Sequence, residues 1–382
     1  MSNKQIYILI SIALIVTSGF VWAIKDQTSQ GFLVSSGEIA TGDGDRDSFD
    51  HNRDVKRTGV SLMESSEANL PNPVDPALET CLTNPGPLIT LSGSMTYYKD
   101  DSLAEKTKID ASMASFENGG EHPVNIGGGT DICWYSGKIY GGYPPETSWE
   151  TTHPTAGIQI YDGTYRSVIE GVYIDQIGDG IKVRYGEDSG QAGITEPFIV
   201  RGVWLRDIRD DCIESDWQAG AIIEDSLLDG CYVIFATEKR PSASTNGSNN
   251  TWEIRDTLAY MHDQIGVYKG PSPGHGMFFK WDDTSPQWKM YDSILRVDST
   301  SGQSSDQFDF RLDKLADCKN NILVWLGPGQ FPGTVPDCFT ITKDRSSWDN
   351  AVRVWKIRHG YISQGNNFRI YSPLLLRSGM DN

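Results

Sequence analysis

The feature that most limits what this chain can fold into is a degenerate six-residue repeat. Ile169-Glu-Gly-Val-Tyr-Ile returns as Val200-Arg-Gly-Val-Trp-Leu, Ile223-Glu-Asp-Ser-Leu-Leu, Ile254-Arg-Asp-Thr-Leu-Ala, Met290-Tyr-Asp-Ser-Ile-Leu and Cys318-Lys-Asn-Asn-Ile-Leu, with Tyr135-Ser-Gly-Lys-Ile-Tyr as a weaker earlier copy. The third positions of these copies, 137, 171, 202, 225, 256, 292 and 320, are separated by 34, 31, 23, 31, 36 and 28 residues. Self-similarity at such a period marks units that stack on one another. The shortest turn needs 23 residues, so the others carry insertions. Each copy joins short β-branched runs through Gly, Asp or Asn and lacks a ten-residue helical period, which predicts strands linked by tight turns.

The position two before each anchor is apolar in the six stronger copies (Ile169, Val200, Ile223, Ile254, Met290, Cys318) and is expected to point inward. The position one before reads Glu170, Arg201, Glu224, Arg255. If turns stack about 4.8 Å apart, these four make an outer ladder of alternating sign. That gives them a structural task and removes them from the candidate site.

Over roughly residues 85–345 this pattern resembles the right-handed parallel β-helix of the pectin-lyase-like superfamily. The fold expected is therefore all-β, a right-handed single-stranded parallel β-helix (solenoid) with loop insertions, spanning 81–382. Residues 81–130 are expected to cap one end and the region from Trp348 to Leu376 the other.

Chemistry is expected where the insertions emerge, because loops on one side of a stacked coil wall a groove. Asp179 lies eight residues after its anchor, and Asp210 eight after the next, followed at once by Asp211; Glu214 and Asp216 continue the run. Carboxylates about one strand spacing apart cannot all ionise cheaply, so one pKa rises into general-acid range or a cation is recruited. Asp is also a turn former that bonds its own backbone, so turn duty is the competing reading. Lys182, Arg184, Arg206 and Arg209 accompany the acids. A second cluster holds His275 between glycines, then Lys280 and Trp281. Trp217 and Trp281 fall in insertions and suit stacking against a ligand.

Within the β-helix enzymes, Gly178-Asp179-Gly180, Asp210-Asp211-Cys212-Ile213 and Gly274-His275-Gly276 are similar, in order, to motifs of the polygalacturonase-type glycoside hydrolases. The resemblance implies Asp210 or Asp211 as general acid, another Asp activating water and His275 orienting the pair. Departures are Ile177-Gly178 for Asn-Thr, a gap of 64 residues between Asp211 and His275, and Arg311-Leu-Asp-Lys314 for Arg-Ile-Lys. A lyase would instead use a base and a cation to neutralise a uronate, with Lys182, Arg184 or calcium held by the Asp cluster. A third reading is a coil that binds carbohydrate through its aromatic loops without catalysis. The expected function is an extracytoplasmic polysaccharide-degrading enzyme, hydrolase or lyase, with that binding module as the alternative.

The ends and the charge bound the rest. Residues 6–24 carry no charge, with Lys4 before and Lys25 after, so 1–25 reads as a cleaved export signal or a retained membrane anchor. Residues 26–80 carry 11 acidic against 4 basic side chains and no apolar period, which predicts a flexible tether. Asp43, Asp45, Asp47 and Asp54 fall at calcium-loop positions, although Ser48 replaces the turn Gly and Asp54 the bidentate Glu. The whole chain has 33 Lys and Arg against 51 Asp and Glu, and −18 lacks the basic footprint that nucleic acid requires. Six cysteines without C-x-x-C spacing suit disulfides in an oxidising compartment, their pairing open.

Overall fold

The computed structural model describes residues 80–363, apart from 118–119, 162, 186–195, 240–244, 266–272 and 303–304. The charge-free run, the tether up to residue 79, and Asp43, Asp45, Asp47 and Asp54 lie outside the described residues. No helix among the described residues is long and apolar enough to cross a membrane, so the expected membrane anchoring finds no span here.

The anchors of the repeat have a backbone explanation. Gly171, Gly202, Asp225, Asp256, Asp292 and Asn320 all have φ between 45° and 69°. Only Gly takes this left-handed corner without penalty, and Asp and Asn are the side chains that tolerate it best. Each corner turns the chain from one strand into the next. The residues before the corners form a first parallel ladder in which Ile169, Val200, Ile223, Ile254, Met290 and Cys318 are successive partners. Those after it form another, with Tyr173, Trp204, Leu227, Leu258, Ile294 and Ile322 in register. A further ladder runs through Val124–Ile126, Ala156–Ile160, Asp179–Val183, the ends of Trp204–Glu214 and Leu227–Ala236, and Phe279–Lys280.

On the outer face of the first ladder, Arg201 meets Glu170 at 2.9 Å and Glu224 at 4.0 Å, and Arg255 meets Glu224 at 3.4 Å. These are partly exposed pairs, each contributing at most about 1 kcal/mol. The inner faces of all three ladders meet in one core, with Ile169, Ile181, Val200, Ile213, Phe235 and Trp252 fully buried.

This architecture corrects the expected open, single-stranded solenoid. Twenty-two strands form one continuous parallel sheet, because Lys108–Glu117, Trp204–Glu214 and Leu227–Ala236 are long enough to belong to two ladders each. The sheet wraps nearly around its core as a tube, its backbone donors satisfied from turn to turn. Among the described residues no strand of the last turns pairs back onto the first, so the wall closes around the axis and not along it. The expected caps are corrected too. Residues 88–126 already supply strands of the wall. The helix Arg345–Arg358 lies along the side, where Trp348, Ala351 and Trp355 cover Leu227, Leu258, Ile294 and Val324 from successive turns.

All six described cysteines are paired: Cys81 with Cys133, Cys212 with Cys231, and Cys318 with Cys338.

Candidate metal centre

Two local departures from strand regularity build the site. In a regular strand, residues three apart face opposite sides. Asp179 and Lys182 nevertheless meet, because Asp179 enters its strand from the Gly178 turn. The chain can pass so close only without side chains on either flank: a Cβ on Gly178 would lie 2.0 Å from the Thr152 carbonyl oxygen, and one on Gly180 2.5 Å from that of Cys212. On the next turn, the partnering slips between Ile208 and Asp211, so that Trp204–Glu214 carries one residue more than its neighbour. Such a bulge re-aims side chains. It sets the register of the segment that carries both Asp211 and Glu214.

The result is a cluster in which one carboxylate oxygen each from Asp179, Asp211 and Glu214 lies within 4.8 Å of the others. All three are buried, at 1%, 2% and 3% exposure. Lys182 donates to Asp179 Oδ2 at 2.8 Å and to Glu214, and Lys280 donates to Asp211 Oδ2 at 3.0 Å. The Asp211 amide donates to Asp179 Oδ1 at 3.2 Å, while Asp211 Oδ1 is buried and accepts no hydrogen bond. Asp210 and Asp216 adjoin and are also buried. Five carboxyls thus face two paired ammonium groups.

Protons are redistributed accordingly. Burial, then the Glu214 charge, pushes Asp179 well above the usual carboxylate range, and the same two causes raise Asp216. Burial and Asp211 lift Asp210 to about 7. Burial also raises Asp211, against the pull of Lys280. Burial acts on Glu214 too, yet the Lys182 ammonium and hydrogen bonds from Asp179 and Asp216 hold it below its ordinary value. Lys182 is lowered by burial but raised more by Asp179 and Glu214, so it stays charged.

The cluster can coordinate a divalent metal ion. Its donors are all carboxylate oxygens, with neither thiolate nor imidazole, which suits a hard cation. The orphaned Asp211 Oδ1 is the observation that fits: a buried acceptor left without a donor is costly, and a cation satisfies it.

Other residues named from the sequence take different places. Arg184 lies 5.3 Å from the Tyr161 ring and 5.1 Å from the buried Trp217 ring, one strand step beyond Lys182. Arg209 is spent on the carbonyl oxygens of Pro145, Thr147 and Ile265. Arg206 is exposed on another ladder and pairs with Asp175 and Asp207. His275 is fully buried, with its ring nitrogens against the carbonyl oxygens of Gly276 and Ser299. Trp281 packs in the core beside Trp252 and Phe279.

Sequence reasoning missed the polar row that leads into the cluster. Asn125, Gln159, Lys182 and Glu214 are successive partners on one ladder, and Asn125 Oδ1 and Gln159 Nε2 are buried without hydrogen-bond partners. It also missed Trp149, which reaches Asp210 from the short helix Trp149–Thr152. The ladder register was the available signal for the row; nothing in the sequence pointed to the loop tryptophan.

Comparison with protein-family models, curated proteins and solved structures finds no match. The resemblance to the pectin-lyase-like superfamily is corrected by the fold, a continuous parallel sheet that nearly closes on itself in place of an open coil. The expected polysaccharide-degrading groove is corrected by burial: the five acids are 1–8% exposed and do not line an open groove. The expected depolymerising function loses its site with the groove.

Proposed function

We propose that this chain is an exported, disulfide-linked protein that takes up one divalent cation at Asp179, Asp211 and Glu214, and that the cation is calcium. The orphaned, buried Asp211 Oδ1 carries this reading. Calcium takes several carboxylate oxygens in flexible geometry, whereas magnesium demands a near-ideal octahedron and keeps several waters, so a buried site of carboxylates suits calcium. The ligands come from two successive turns, so the ion acts as a clamp between them. Three disulfides and the charge-free run at 6–24 support export to an oxidising compartment.

The opposed proton affinities of Asp210 and Glu214 favour a second reading, an acid–base centre with Asp210 as proton donor and Glu214 as base. Titrating the chelator-treated protein with calcium in a calorimeter separates the two. One equivalent bound, lost in Asp211→Asn and Glu214→Gln, is the expected result. No heat and no retained calcium at millimolar concentration would sink the cation reading and leave the acid–base centre.

A further inference from the structure

The cation triad depends on a backbone irregularity, and a covalent bond sits on it. Ile208 partners Cys231 while Asp211 partners Val233, one extra residue being accommodated at Arg209-Asp210. Asp211 and Glu214 both follow this slip and keep one register with Val233 and Ala236, so the slip sets the facing of the whole segment that carries them. Cys212 follows Asp211 directly, and its disulfide partner is Cys231, the residue at which the register slips. Both cysteines are fully buried. The carbonyl of Cys212 also forms the contact that excludes a side chain from Gly180, next to Asp179. Cys212 thus adjoins one ligand in sequence and its carbonyl lies close to the strand that carries another.

We infer that the Cys212–Cys231 disulfide is a positioning device for the cation centre: it locks the bulge, and with it the register in which the segment carrying Asp211 and Glu214 meets Asp179. This rests on the cation reading above. The alternative to the bulge is a one-residue slip of that segment, which sends every side chain on it, Asp211 and Glu214 together, to the other face. The other two disulfides lie on different strands and touch none of the three ligands. They control for a general loss of cross-linking.

The test compares calcium affinity in the full chain with both cysteines replaced, C212S/C231S, and in C318S/C338S, with melting in chelator as the measure of folding. The expected result is at least about a tenfold weaker Kd in C212S/C231S, the size of loss typical when the support of a metal ligand is removed, and a change under about twofold in the control. If the hydroxyls unfold the core, C212V/C231A keeps the site apolar and is expected to lose the same affinity. A folded C212S/C231S or C212V/C231A variant with parental Kd overturns the inference, as does an equal loss in the control. A parent chain that takes up no calcium overturns the cation reading and this inference together, so the two failures are told apart by the parent.

Discussion

Replacing Lys182 by Met asks most directly what the buried ammonium does. Its side chain is 11% exposed and bonds two carboxylates whose own exposures are 1% and 4%. Removing one partner of a buried ion pair leaves uncompensated charge and costs about 3–5 kcal/mol. For a chain of this size, with a urea m-value near 3 kcal/mol/M, that lowers the unfolding midpoint by at least about 1 M. The substitution also removes the ammonium that competes with a cation for Asp179 and Glu214. Calcium at about 100 times its Kd should then return about 2.7 kcal/mol to the variant, and less to the parent, where the ion must share the triad with Lys182. Urea unfolding of both proteins in chelator and in calcium gives all four numbers. A variant as stable as the parent in chelator refutes the ion-pair argument, and equal calcium gains in the two proteins refute the competition.

Two further outcomes are expected. Asp210 titrates near 7 in the folded chain against 3.8 unfolded, so between those values the folded state holds the extra proton and stability falls as pH rises, by about 4 kcal/mol at most; Asp179 and Asp216, also raised, add to the fall. Glu214 runs the opposite way, its contribution present above its unfolded value and lost only in acid. Calcium-free protein that is no less stable at pH 8 than at pH 5 contradicts this assignment. Gly180→Ala places a methyl group 2.5 Å from the Cys212 oxygen and should cost about 1–3 kcal/mol while weakening calcium binding, read by melting and calorimetry; unchanged melting refutes the close approach.

The wall of this molecule was legible because one backbone requirement recurs. A left-handed corner admits Gly, Asp and Asn and little else, so positions 171, 202, 225, 256, 292 and 320 announce themselves, and the strands on either side follow by register. The closure of the sheet was not legible. It depends on how far Trp204–Glu214 and Leu227–Ala236 continue past the corner, and their apolar runs look alike as one strand or two. The acids were found by spacing, since Asp179 and Asp210 fall eight residues after their anchors. Their burial was not, because periodicity fixes spacing along the chain and not which surface ends up covered. His275 misled for the same reason: flanking glycines suggest an exposed loop, yet the ring fills the space between two carbonyl groups beside Phe308.

The placement of the disulfides has a mechanical consequence. Turns that touch only their neighbours can peel one at a time from either end. Cys81–Cys133 sits where the wall begins, Cys318–Cys338 ties the strand Leu315–Lys319 to the turn before Phe339–Thr342 where it finishes, and Cys212–Cys231 lies between them. Under tension, peeling stops at the first cross-link it meets. Such a chain persists by the slowness of its unravelling as much as by its equilibrium stability.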